Sequence, residues 1–383
     1  MANISRFLQI SFVLIFISFV ANAQKPAAQK LDANMALKKA DADGISWFDP
    51  KLAPFDLVGF EWFEKDSVFR RLPLNPDWEI PTAVDGLANH TAGGQIRFKT
   101  NSKRFLVKVV LREKSGMYHM PATGQSGFDL YIHSSEGYRY LKTTRFPQDT
   151  IQYQVKLYSA TENKMHDFIL NFPLYNGVNS LHIGLDEGAL LEPPLKFKTQ
   201  GKIVIYGTSI TQGGCVSRPG MLFSNILSRK LDAEFVNLGF SGNGKGEPEL
   251  ARLINQILDT KFIILDYEAN TSHTIKNSLA KFVDILRKKQ PETPILIVSK
   301  IRYAREPEGS SNYKLLISNR NFQKKLVEER KLKGDKNIYF LDGSAILGED
   351  YLECTVDGVH PSDLGSYRIA EALLPVIEEI LPD

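Results

Sequence analysis

From Gly201 onward the sequence alternates between two hydrophobic periods, and this restricts the fold more than any other feature of the chain. Five apolar, β-branched runs (Lys202–Tyr206, Glu234–Leu238, Lys261–Tyr267, Pro294–Ser299 and Asn337–Leu341) are interleaved with stretches of helical period (Gly220–Leu231, Glu247–Leu258, Ile275–Lys289, Tyr313–Leu332 and Leu364–Leu381). Near-continuous apolar runs are strands covered on both faces, and strands separated by helices pair in parallel. The expectation is an α/β fold with a doubly wound, five-stranded parallel sheet. Such open sheets bind ligands at the carboxyl edge of their strands, so chemistry is sought in the loops that follow the β runs.

Upstream the texture differs. Between Ile45 and Leu195 short aromatic and β-branched runs are broken by Pro and Gly: Phe55–Phe63, Gly94–Thr100, Phe105–Leu111, Gly127–His133, Ile151–Leu157, His166–Asn171 and Ser180–Gly184. Several alternate with period two, which predicts an antiparallel, jelly-roll-like β-sandwich over 45–195, with Pro193-Pro194 leading into an α/β domain over 196–383. Residues 24–44 read as a flexible lead-in. Residues 1–23 combine Arg6, an apolar run around Phe12–Ile17 and Ala21-Asn22-Ala23, the pattern of a cleaved secretory signal. An exported chain, periplasmic or secreted, with no membrane span after cleavage is expected.

Charge and cysteine content narrow the function classes. The formal charge of +3, or +2 once Arg6 leaves with the signal, carries no long block of one sign and argues against a nucleic-acid partner. Cys215 and Cys354 are the only two cysteines, too few for a disulfide scaffold or a cysteine-based zinc site, and two free thiols are favoured over one bridge. His90, His119, His133, His166 and His182 show no i, i+4 pairing on a helix, so neither a metal nor another cofactor is expected.

Four loops hold the candidate chemistry. Ser209 follows the first β run in Tyr206-Gly207-Thr208-Ser209, where a serine can be a nucleophile or simply a strand-ending cap. Asp357 and His360 stand three apart in Asp357-Gly358-Val359-His360-Pro361, able to bring a carboxylate onto an imidazole that takes a hydroxyl proton. A helix-capping Asp beside a surface His is the plainer alternative. Gly242, in Ser241-Gly242-Asn243-Gly244, can aim a backbone N–H at a developing oxyanion, and Asn270 after the third β run can add a side-chain N–H. Arg218 suits a salt bridge at a helix start better than a substrate contact, and His119, Asp129 and Tyr131 suit internal hydrogen bonds.

Taken together, Gly207-Thr208-Ser209-Ile210-Thr211-Gln212-Gly213, Ser241-Gly242, Asn270 and Asp357-Gly358-Val359-His360-Pro361 resemble the four blocks of the SGNH (GDSL-type) hydrolases, in order, over residues 200–383. Gly127-Phe128-Asp129-Leu130-Tyr131, with Trp62-Phe63 and Arg70-Arg71-Leu72-Pro73, is similar to the GxDLY β-sandwich preceding this domain in exported bacterial members. The first block has Gly-Thr-Ser in place of Gly-Asp-Ser, and the third has Glu-Ala-Asn-Thr in place of Gly-x-Asn-Asp. The resemblance implies Ser209 as nucleophile, His360 as general base and acid, Asp357 as its orienter, and an oxyanion hole from Ser209 N–H, Gly242 N–H and Asn270. The expected function is an exported serine esterase, of the carboxylic ester hydrolase type, that removes short acyl groups, acetyl foremost, from carbohydrate or a similar small or polymeric ester. A lipase or lysophospholipase, or a non-catalytic glycan-binding protein, are the competing readings.

Overall fold

The computed structural model describes residues 40–381. The signal-peptide reading of residues 1–23 and the lead-in up to residue 39 lie outside the described residues. Among the described residues, no helix is long and apolar enough to cross a membrane.

The first part runs β1 (Ile45–Phe48), β2 (Asp56–Val58), α1 (Phe63–Asp66), α2 (Thr82–Leu87), β3 (Gln95–Thr100), β4 (Arg104–Leu111), α3 (Ala122–Gln125), β5 (Asp129–Ser134), β6 (Gly137–Thr143), β7 (Gln152–Ser159), β8 (His166–Asn171), β9 (Val178–Asp186) and β10 (Leu191–Glu192). These strands form two antiparallel sheets, ordered β1-β9-β4-β7 and β10-β3-β8-β5-β6, with β2 paired to β3. Strand β4 shows how the pattern dictates the packing. Phe105, Val107, Val109 and Leu111 are buried while the residues between them are not, because successive side chains on a strand point to opposite faces. The buried set meets Phe98, Leu130 and Phe168 from the second sheet.

The expected strand over Phe55–Phe63 is a departure: only Asp56–Val58 pairs, and the chain then turns into α1. Its aromatic residues were recruited for packing instead. Phe60 sits edge-on to Phe172 at 5.1 Å and tilted against Phe69 at 5.9 Å.

The second part contains β11 (Lys202–Gly207), α4 (Ser209–Gln212), α5 (Phe223–Leu231), β12 (Glu234–Gly239), α6 (Pro248–Ile254), β13 (Thr260–Asp266), α7 (Ile275–Arg287), β14 (Ile295–Val298), α8 (Ser311–Leu332), β15 (Ile338–Leu341) and α9 (Asp363–Ile380). All five strands are parallel, in the order β12-β11-β13-β14-β15. The chain leaves β11 to one side and returns to its other side, which makes the carboxyl ends of β12, β11 and β13 the switch point where such sheets open a crevice. Ser209, Gly242 and Asn270 all follow these three strands.

Both faces of the sheet are covered. Ile203, Ile205, Phe262 and Ile264 pack with Phe223, Ile226, Leu227, Ile369 and Leu373 of α5 and α9. Val204, Tyr206, Val236 and Leu265 pack with Leu250, Leu253, Phe282 and Val283 of α6 and α7. Each core also takes in side chains from the first part: Ala92, Met120, Leu174 and Tyr175 join the former, and Leu72, Val84 and Ala88 the latter.

Candidate active site

Strand β11 ends in a turn that lifts Ser209 onto the first position of α4. Thr208 caps this short helix: its hydroxyl accepts from the Ile210 amide, while the Thr211 hydroxyl accepts from the Thr208 amide at 3.2 Å. This reciprocal arrangement satisfies orphan donors of the helix start. Two glycines let the turn lie flat on the sheet. A Cβ on Gly207 would come within 2.0 Å of Thr211 Oγ1, and one on Gly239 within 2.3 Å of the Gln212 amide. Beneath the turn, Thr211 Oγ1 donates to Asp266 Oδ2 at 2.9 Å. Asp266 keeps some accessible surface, yet desolvation of its carboxyl pushes its pKa up to about 7, with Glu268 adding in the same direction.

Ser209, only 8% exposed, places its Oγ 2.9 Å from His360 Nε2. The other ring nitrogen, Nδ1, lies 2.7 Å from Asp357 Oδ2. Asp357 is itself fixed, since its Oδ1 accepts from the amides of Val359 at 3.0 Å and His360 at 2.8 Å. Partial burial alone would raise this carboxyl. The His360 amide and ring and the Val359 amide outweigh it and hold the pKa down to about 2. Two backbone contacts fix the histidine loop: Val356 donates to the His360 carbonyl at 2.8 Å, and Cys215 to the Pro361 carbonyl at 3.0 Å. A carboxylate, an imidazole and a hydroxyl thus stand in a hydrogen-bonded row, the arrangement that activates a serine for acyl transfer.

Gly242 has a φ of +67°, with nothing within 4 Å of where a Cβ would stand. Asn270 donates one side-chain N–H to the Asn243 carbonyl, and a carboxamide has two such donors. Ser209, Gly242 and Asn270 therefore sit on adjoining loops at the switch point.

The first part of the chain reaches under this site. Tyr175 donates its hydroxyl to the Ser209 carbonyl at 2.9 Å, and Gln212 donates to the Leu174 carbonyl at 3.1 Å. Arg71, almost wholly buried, donates to the carbonyls of His90, Leu87, Asn237 and Gly239 and lies over the Phe240 ring. The loop after α4 is held as firmly. Asp129 Oδ2 accepts from Arg218 Nη1 and the Gly220 amide, each at 2.8 Å, and Arg218 also reaches the Tyr131 hydroxyl at 2.6 Å. Arg218, Asp129 and Tyr131 thus make internal contacts, and the salt bridge expected of Arg218 runs to the sandwich. Tyr175 and Leu174 carry no motif that would have flagged them.

His119 departs from the expected internal hydrogen bond. Its ring centre lies 5.6 Å from that of His360, and its buried Nδ1 has no hydrogen-bond partner. The surrounding loop lines a groove of about 580 Å³ together with Gln148 and Val356, the latter just ahead of Asp357. Across the site, a polar cavity of about 230 Å³ adjoins Asn270 and is lined by Glu268, Lys300, Arg305, Glu306 and Asn319, among others. Cys215 and Cys354 are buried free thiols.

Comparison with known proteins bears on the family and the fold. The profile of the GDSL-like lipase/acylhydrolase family matches residues 200–378, and that of the N-terminus of Esterase_SGNH_hydro-type matches residues 45–191. No curated protein matches the sequence at a significant level. Among solved structures, a protein described as a GDSL-like lipase from Bacteroides ovatus ATCC 8483 is 31% identical, covers 88% of this chain and 98% of its own, and superposes with a TM-score of 0.81. A salicylyl-acyltransferase from a tetracycline biosynthetic pathway shares 19% identity over 89% of this chain and 99% of its own, with a TM-score of 0.72. An acetyl xylan esterase from the rumen bacterium Butyrivibrio proteoclasticus shares 12% identity over 87% of this chain and 98% of its own, at 0.55.

Proposed function

Starting from a chain that belongs to the GDSL-like lipase/acylhydrolase family of esterase-type hydrolases, we propose that it is a serine esterase cleaving short acyl esters, acetyl foremost, on a carbohydrate or similarly polar carrier. The observation that carries this reading is the row Ser209 Oγ to His360 Nε2 at 2.9 Å and His360 Nδ1 to Asp357 Oδ2 at 2.7 Å. In the first half-reaction Ser209 Oγ attacks the ester carbonyl carbon while His360 Nε2 takes its proton, and Asp357 stabilises the imidazolium that forms. The carbonyl oxygen, now negative, receives N–H donors from Ser209, Gly242 and Asn270. His360 then protonates the departing alcohol, leaving an acyl group on Ser209. In the second half, water gives a proton to His360 and attacks the acyl carbon, and as the acyl C–Oγ bond breaks His360 returns the proton to Ser209 Oγ, releasing the acid.

The polar carrier is supported by the cavity beside Asn270, where Lys300, Arg305, Glu306 and Asn312 offer partners to hydroxyl groups alongside the apolar Tyr303, Leu315 and Leu316. Export is part of the proposal and rests on the signal pattern of residues 1–23. The experiment is hydrolysis of p-nitrophenyl esters from acetate to palmitate by the mature chain and its Ser209→Ala variant. Serine-dependent turnover confined to acetate and butyrate is expected. Preference for long chains would replace the reading with a lipase, and absence of turnover on these esters and on acetylated glycans would leave a glycan-binding protein.

A further inference from the structure

We propose that His119, Cys215 and His360 together form a binding site for a divalent cation of the zinc class, and that filling it stops hydrolysis by drawing His360 away from Ser209. One ligand atom from each of the three residues lies within 4.8 Å of those of the other two. They come from three separate segments: the loop before α3, the loop after α4 and the loop before α9. No spacing rule along the sequence links them.

Two donors are unengaged, and the third is engaged by Ser209. His119 Nδ1 is buried without a hydrogen-bond partner, and Cys215 is a buried free thiol. His360 keeps Nδ1 on Asp357 at 2.7 Å, which leaves Nε2 as the nitrogen for a metal. A carboxylate behind a ligating histidine is the usual outer-shell support of zinc sites, fixing the tautomer and raising the basicity of the ligand. Two imidazoles and one thiolate are a zinc donor set with one position open, and a thiolate discriminates against magnesium and calcium. Bond lengths of about 2.0–2.1 Å to nitrogen and 2.3 Å to sulfur require donors closer together than the 4.8 Å spread, so the three side chains must draw together by roughly 1 Å.

Binding replaces the Cys215 thiol proton with the metal and releases that proton to solvent. His360 Nε2 contributes its lone pair to the cation and no longer accepts the Ser209 hydrogen bond. The consequence for activity rests on the esterase reading. The binding site itself does not.

The test uses the full mature chain, with Co²⁺ as a spectroscopic probe and Zn²⁺ measured by competition against a chromogenic chelator. The wild type should bind one Co²⁺ with a thiolate-to-cobalt charge-transfer band. That band should vanish in Cys215→Ser, and Zn²⁺ affinity should fall on the order of 10²-fold in Cys215→Ser and in His119→Gln. Zn²⁺ should inhibit wild-type p-nitrophenyl acetate hydrolysis at concentrations matching its Kd, reversibly with EDTA, and each variant should lose sensitivity relative to its own metal-free rate. Circular dichroism of both variants separates loss of a ligand from loss of fold, and His119→Gln, in a partly exposed loop, decides the matter if Cys215→Ser is unfolded. No thiolate band, or equal Zn²⁺ affinity in wild type and variants, overturns the site. Binding with the band but undiminished turnover overturns the inhibition. A chain inactive on every ester still reveals the site through its cobalt spectrum.

Discussion

Asp129 of strand β5 and Arg218 of the loop after α4 meet at 2.8 Å, and the same carboxylate oxygen accepts from the Gly220 amide. Asp129 has no accessible surface. Removing one partner of a buried ion pair leaves the other charge uncompensated, at a cost of about 3–5 kcal/mol. Asp129→Ala should therefore lower the urea midpoint by an amount corresponding to that range and reduce kcat, because Arg218 and Gly220 lose their shared partner. An unchanged midpoint would remove this role from the GxDLY motif.

Asn270 gives one side-chain N–H to the Asn243 carbonyl, and under the proposed mechanism its second would donate to the oxyanion. Asn270→Ala should lower kcat by roughly 10²–10³-fold, the loss seen when one oxyanion donor is deleted. KM should move little. Steady-state kinetics on p-nitrophenyl acetate decide it, and a loss of only a few fold would make Asn270 a loop brace.

Asp357 orients His360, so Asp357→Asn should preserve the fold yet cut kcat by about 10⁴-fold through the wrong tautomer. The same carboxyl has a folded-state pKa of about 2, against roughly 3.9 in an unfolded chain. Its contribution to stability is complete above the unfolded value and is lost as pH falls toward 2. Chemical denaturation at pH 4 and pH 2 should show a larger drop for the wild type than for Asp357→Asn.

Asp266, beneath the Ser209 turn, behaves in the opposite sense. Its folded-state pKa is raised to about 7, so between about pH 4 and 7 the native state retains a proton that the unfolded chain has released. Stability should decline as pH rises through that window and level off above it. In Asp266→Asn the Tm difference between pH 4.5 and pH 7.5 should shrink relative to wild type. Parallel Tm profiles for the two proteins would refute the assignment.

The parallel sheet was legible because each of its strands is an apolar run long enough to be covered on both sides, from Ile203–Tyr206 to Ile338–Leu341. Strand β4 was legible through strict alternation. Strand β6 was not: none of Gly137–Thr143 is buried, so this edge strand has no buried face to imprint a pattern. The Phe55–Phe63 run misled because aromatic content signals a strand only when the side chains serve a sheet face, and Phe60 instead serves a cluster with Phe69 and Phe172. At the site, Ser209, Asp357 and His360 stood out through local context, each beside turn residues at the end of an element. The contact between His119 and His360 joins segments remote in sequence, and the hydroxyl of Tyr175 meets a backbone carbonyl, a partner with no residue identity to read.

The Tyr175 hydroxyl under the Ser209 carbonyl, with Arg71 threaded among carbonyls of β12, also bears on ancestry. A recombination event that exchanged the front half for an unrelated sandwich would deliver a back half whose Ser209 turn loses the Tyr175 hydroxyl and whose two cores lack Leu174, Leu72 and Val84. Such a chimera should be less stable than the parent. The two halves are therefore bound to each other's sequence, since each completes the other's packing.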